Sequence, residues 1–214
     1  MSRRRSGLLV ALEGIDGVGK STLAGALLRT ATRRGVRAVA RREPTDRTLG
    51  HLAQEASLRD PWTGAVYFTV DRFLARPALE KELARYPLVI TDRSFYSTLA
   101  YQGSALGRSL VRELGELSRR ATRTPDVVIL LDLDPVEALR RLGLRGRGRG
   151  PLERRRTLER VARAYRALAR RHGWLVLDAR RPRRELADAT WAALAPRLPR
   201  ARRGGRRPRA EERT

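Results

Sequence analysis

Leu8-Leu9-Val10-Ala11-Leu12-Glu13-Gly14-Ile15-Asp16-Gly17-Val18-Gly19-Lys20-Ser21-Thr22 puts an apolar run, a glycine-rich turn and the start of a helical pattern in direct succession. The apolar run, Gly7 to Leu12, reads as a buried strand. From Lys20 to Arg34 the spacing turns helical, with Leu23, Leu27 and Leu28 on one face and Gly35 as the stop. Between them, Gly14 to Ser21 fits Gly-x-x-x-x-Gly-Lys-[Ser/Thr] in the context that gives that pattern meaning. Glycines let the backbone curl so that successive N–H groups converge on phosphate oxygens. The helix that follows adds its free N–H groups and dipole. The Lys20 ammonium would reach the terminal phosphates of a nucleoside triphosphate, and the Ser21 hydroxyl could ligate Mg²⁺. Gly14, Ile15, Asp16, Gly17, Val18, Gly19, Lys20, Ser21 and Thr22 are therefore the candidate nucleotide-binding residues.

Outward from this turn, strand and helix signals alternate. Further strands are expected at Val36–Val39, Leu88–Thr91, Val127–Leu133 and Trp174–Leu177. Helices are expected at Leu49–Leu58, Thr63–Arg85 (broken or kinked at Pro77), Ser97–Gly103, Arg108–Arg120, Pro135–Leu142, Leu152–Arg171 and Glu185–Leu194. Strands separated by helices imply parallel βαβ units. The expectation is an α/β three-layer sandwich, a five-stranded parallel sheet with helices on both faces. The domain is expected over residues 1–196, with a basic, disordered tail at 197–214.

Composition excludes much else. No cysteine is present, so disulfides, thiolate metal sites and cysteine nucleophiles are ruled out. Only His51 and His172 could supply imidazole, and both read as ordinary surface residues. No apolar run is long enough for a membrane span, and the N-terminal segment lacks a signal-peptide core, so a cytoplasmic location is expected. The net charge of +24 would suit nucleic-acid binding, yet lysine occurs only at positions 20 and 81. Near-total use of arginine reads as compositional bias, and a solvated tail is favoured over one that binds nucleic acid. The same bias makes Lys20 informative: a position still written as lysine is one that rejects a planar guanidinium.

Two strands end in aspartate, Leu88–Asp92 and Val127–Asp132. Asp92 is the preferred Mg²⁺-positioning carboxylate because Arg93 follows it at the sheet edge where ligands bind. Asp132 and Asp134 could equally serve a loop and a helix cap.

The chain resembles the bacterial and archaeal thymidylate kinases. The resemblance rests on Glu13 to Thr22, on Arg42-Glu43-Pro44-Thr45, and on Phe68, Asp71 and Arg72. It continues through Asp92-Arg93, Ser97-Thr98-Leu99-Ala100-Tyr101-Gln102-Gly103, Pro125-Asp126 and Leu131 to Pro135, spanning about Leu8 to Asp178. It implies ATP and Mg²⁺ as cofactors, dTMP as acceptor, and a homodimer. It places Asp16, Glu43, Phe68, Arg72, Arg93, Ser97, Tyr101, Gln102 and Tyr165 at the acceptor. Arg93 would take the phosphate, Arg72 would lie near the base, Phe68 would stack on it, and Tyr101 and Tyr165 would lie near the sugar. Lys20 and Arg93 would be catalytic, with Arg147 or Arg149 from a Gly/Arg loop matching the family's LID, about 143–153. Three departures stand out. Gln54 occupies a position where an arginine often meets the acceptor phosphate, with Arg47 as the nearby substitute. Ser94 replaces an aromatic, and Glu153 alone matches the acidic pattern after the LID. Another nucleotide or deoxynucleoside kinase, or a degraded kinase fold that binds nucleotide without turnover, are the alternatives.

Overall fold

Alternation along the first strand sets the layers. In the computed structural model, which describes residues 7–143 and 151–199 and no side chains for 151–154, β1 (Leu8–Glu13) is buried along its whole length. Leu8, Val10 and Leu12 join a cluster with Leu23 and Leu27 of α1 (Lys20–Arg33) and Trp191 and Leu194 of α8 (Arg183–Leu194). Leu9 turns the other way, against Leu79 and Leu83 of α3 (Pro61–Arg85). Ala11 likewise meets Phe95 and Tyr96 of α4 (Phe95–Tyr101). A strand apolar on both faces is what a parallel sheet covered by helices demands.

The remaining strands are β2 (Ala38–Arg42), β3 (Leu88–Asp92), β4 (Val127–Asp132) and β5 (Leu175–Asp178). All pairings are parallel, in the order β2-β3-β1-β4-β5. The other helices are α2 (Arg47–Arg59), α5 (Arg108–Ala121), α6 (Pro135–Gly143) and α7 (Pro151–His172). The expected α/β sandwich is thus observed. β1 lies between β3 and β4, so the connections diverge at its C-terminal end and open a crevice there.

α4 begins two residues before the expected Ser97 and β5 is shifted by one residue; two further elements differ in kind. β2 begins at Ala38 and runs to Arg42, in register with Leu88 to Asp92. Val36 belongs instead to the turn after α1, where its N–H bonds the Ala31 carbonyl. As an edge strand β2 is only partly buried, so arginines can occupy its end. The expected break at Pro77 is absent, and α3 continues through it. Proline withdraws one N–H from the carbonyl four residues earlier, that of Phe73. Phe73 lies on an outward face of α3, so the freed carbonyl is not shut inside the core of this chain.

Candidate functional site

Ile15 and Val18 anchor the turn after β1 by burying their side chains in the core, which leaves the backbone to face outward. Gly14, Gly17 and Gly19 all have positive φ. A Cβ at Gly14 would lie 2.5 Å from the Leu131 carbonyl and one at Gly17 2.7 Å from that of Ala138. At Gly19 a Cβ would meet nothing within 4 Å and would project into the open cradle. Lys20 opens α1 and is buried; its ammonium donates to the carbonyls of Gly14 and Ile15, each at 2.9 Å. Burial, aided by the neighbouring Arg93 charge, brings Lys20 down to about 7.

The Ser21 hydroxyl donates to Asp92 Oδ2, while Asp92 Oδ1 is buried without a partner. A seryl oxygen beside an unspent carboxylate oxygen is a fitting donor set for Mg²⁺, which takes one or two protein ligands and fills its shell with water and phosphate. Among the described residues no group of three or more acidic or histidine side chains could hold a metal by itself. Of the two candidate strand ends, Asp92 is the one at the cradle. Asp132 instead accepts from Arg166 Nε at 2.9 Å, and Asp134 caps α6 through the Val136 N–H at 2.8 Å.

Beside the cradle lies a cavity of about 730 Å³. Asp16, Glu43, Phe68, Arg72, Arg93, Ser97, Tyr101 and Gln102 all line it, so the structure brings these sequence candidates to one wall. Phe68 is half-buried, an accessible face and not core packing. Arg93 has φ of 80°, a conformation rare for a residue with a side chain. Its N–H bonds the Leu12 carbonyl at 3.0 Å, and its carbonyl accepts from the Thr91 hydroxyl at 2.7 Å. Its guanidinium forks between Asp16 Oδ1 and Ser97 Oγ, the latter at 3.1 Å, and lies 5.2 Å from the centre of the Tyr101 ring. Tyr101 donates its hydroxyl proton to Asp16 Oδ2 and accepts from the Asp16 N–H, both at 3.1 Å. Burial works to raise the Asp16 carboxyl, but Arg93 and Lys20 hold it below the ordinary carboxylate range.

Arg72, on the same cavity as Phe68, is held by three protein partners. Its Nε donates to Glu43 at 2.6 Å, Nη1 to the Thr98 hydroxyl at 2.8 Å, and Nη2 to the Ser94 carbonyl at 3.1 Å. Asp71 accepts from the Thr45 N–H at 2.9 Å and the Asp46 N–H at 2.8 Å. Tyr165 differs more. It is fully buried behind the wall, where its hydroxyl donates to Glu13 at 2.9 Å and its ring meets Tyr101 edge-on. The apolar face of α7 that carries it is absorbed by the core. Gln54 lines the cavity; Arg47 does not and is exposed, whereas Arg42 and Arg160 do line it. Arg160 left no trace in the sequence because it is one of many arginines along the polar side of α7. Arg147 and Arg149 lie outside the described residues, as does the side chain of Glu153.

The thymidylate kinase family model matches residues 12–189. A protein of Leifsonia xyli subsp. xyli named thymidylate kinase is 41% identical over 86% of this chain and 92% of its own. Two archaeal proteins named probable thymidylate kinase are similar: one of Pyrobaculum aerophilum at 36% identity, over 84% of this chain and 92% of its own, and one of Sulfurisphaera tokodaii at 34%, over 85% and 92%.

Proposed function

The chain belongs to the thymidylate kinase family, and on that premise we propose that it transfers the γ-phosphate of ATP to dTMP, giving dTDP and ADP. The observation that carries this is the shared wall. Arg93 and Asp16 stand where the triphosphate cradle meets a cavity large enough for a nucleotide, and Phe68 offers that cavity a ring.

The transfer needs little covalent chemistry from the protein. A phosphate oxygen of dTMP attacks the γ-phosphorus, the bond to the bridging oxygen breaks, and ADP leaves with those electrons. The amides of residues 14–22 hold the triphosphate, and Lys20 exchanges its carbonyl partners for phosphate oxygens. Ser21 and Asp92 would hold Mg²⁺, which offsets charge on the phosphates when bound. Arg93 holds the acceptor phosphate in line, with Asp16 and Tyr101 fixing the guanidinium. Arg147 or Arg149 supplies the further cation. A cytoplasmic location goes with this proposal; among the described residues no helix is long and apolar enough to cross a membrane.

The test is coupled ADP release with ATP and Mg²⁺ across dTMP, dUMP, dCMP, dGMP and AMP. Turnover favouring dTMP supports the proposal. Turnover only with another acceptor moves the specificity, and nucleotide binding without turnover points to a degraded kinase. Phe68→Ala is expected to raise the KM for dTMP roughly tenfold, since base–aromatic stacking contributes about 1–3 kcal/mol. An unchanged KM would place the base elsewhere.

A homodimer belongs to the same proposal. Val70, Phe73 and Leu74 form one face of α3 and are 41%, 63% and 64% exposed. Large apolar side chains grouped on an outward helix face mark a contact surface. Phe73→Glu is expected to convert a dimer into a monomer in light scattering, and wild-type protein of monomer mass would refute the dimer.

A further inference from the structure

Glu13 ends β1 with its side chain wholly buried, and the mechanism above gives it nothing to do. Four hydrogens converge on it. The Ser94 N–H and hydroxyl donate to Oε1 at 2.8 and 2.6 Å, and the hydroxyls of Ser97 and Tyr165 donate to Oε2 at 2.7 and 2.9 Å. A carboxylate only accepts and has about four lone-pair directions, so this set of partners is matched to the ionised form. Burial pushes the Glu13 carboxyl up, against the pull of these donors and of Arg93.

What those donors do next is informative. A serine hydroxyl has one proton. With that of Ser97 given to Glu13, the lone pair is what Ser97 presents to Arg93 Nη1 at 3.1 Å. Ser94 directly follows Arg93, whose left-handed backbone persists only where its surroundings enforce it. Glu13 therefore grips Arg93 at both ends, through the next peptide and through the partner of its guanidinium.

Resting on the kinase proposal, we propose that Glu13 is a positioning residue for the acceptor phosphate: its buried carboxylate orients the Ser97 hydroxyl and pins Ser94, which together aim the Arg93 guanidinium. It touches no substrate itself.

Glu13→Gln keeps the size but sets an NH₂ group against hydrogens that need an acceptor. The experiment compares KM for the monophosphate that the wild type turns over with KM for ATP, alongside thermal unfolding, for Glu13→Gln, Ser97→Ala and the double variant. In Glu13→Gln the acceptor KM is expected to rise about tenfold or more, the scale of a lost charge-assisted hydrogen bond, while that for ATP stays within about twofold. The double variant is expected to be no worse than the poorer single one, because both remove the same link. An unchanged acceptor KM, equal rises for both substrates, or effects that multiply would overturn the proposal. If Glu13→Gln does not fold, Glu13→Asp decides, since it keeps the charge but draws the carboxylate back from both serines: an acceptor KM unchanged there overturns the proposal, and one raised with ATP unaffected supports it. Wild-type protein with no turnover on any acceptor would instead refute the kinase proposal. Direct dTMP binding to the same variants then tests Glu13 separately.

Discussion

Lys20→Ala is expected to lower kcat by about 10²–10³-fold while leaving the fold intact, the scale of removing one preorganised charge-stabilising donor. The ammonium is buried and held at the cradle by two carbonyls, which it exchanges for phosphate oxygens when nucleotide binds. Lys20→Arg is expected to rescue little, because a rigid planar fork cannot reproduce the contacts of a compact ammonium at a buried site. ADP release and circular dichroism on both variants check this; full activity in Lys20→Arg would refute it. The pH dependence follows with a definite sign. Lys20 lies at about 7 in the polypeptide, and phosphate favours its charged form. ATP binding above pH 7 therefore takes up a proton, and affinity falls as pH rises. Calorimetry at pH 8 in two buffers of different ionisation enthalpy should detect that uptake, and finding none would contradict it.

Arg93→Ala is expected to lower kcat/KM for dTMP by about 10²–10³-fold, within the 2–5 kcal/mol typical of truncating one partner of a hydrogen-bonded charge pair. Two losses combine. The acceptor phosphate loses a bidentate cation, and Asp16 loses its partner and turns repulsive toward the incoming anion. Arg93→Lys should recover part of the charge and little of the geometry, since the contacts to Ser97 and Asp16 leave from two separate nitrogens of the planar fork and a lysine has one. The KM for ATP should change far less. A variant with normal acceptor kinetics would show that another cation on the cavity, Arg42 or Arg160, holds the phosphate.

What the sequence made legible follows from range. The phosphate cradle was legible because all its parts are contiguous, from Leu8 to Thr22. β1, β3 and β4 were legible because strands covered on both faces are continuous apolar runs. β2 was misplaced because an edge strand can carry arginine at its end. The destination of Arg72 was not legible: its partners Glu43, Ser94 and Thr98 are 22 to 29 residues away, and no local signal pairs them. Ser94, a departure from the family pattern, proves to be half of the grip on Glu13. Tyr165 carries the same side chain whether it meets a sugar or supports Tyr101 from behind, and only the burial of α7 separates the two.

Asp71 and Arg72, adjacent on α3, clamp the segment before α2 at two points: the amides of residues 45 and 46, and the carboxylate of Glu43. Mechanically, α3 and that segment form one body, and the segment cannot flap without breaking buried charge-assisted bonds. Amide protons of Thr45 and Asp46 should exchange with deuterium at the slow rate of α3, not at the rate of a surface loop.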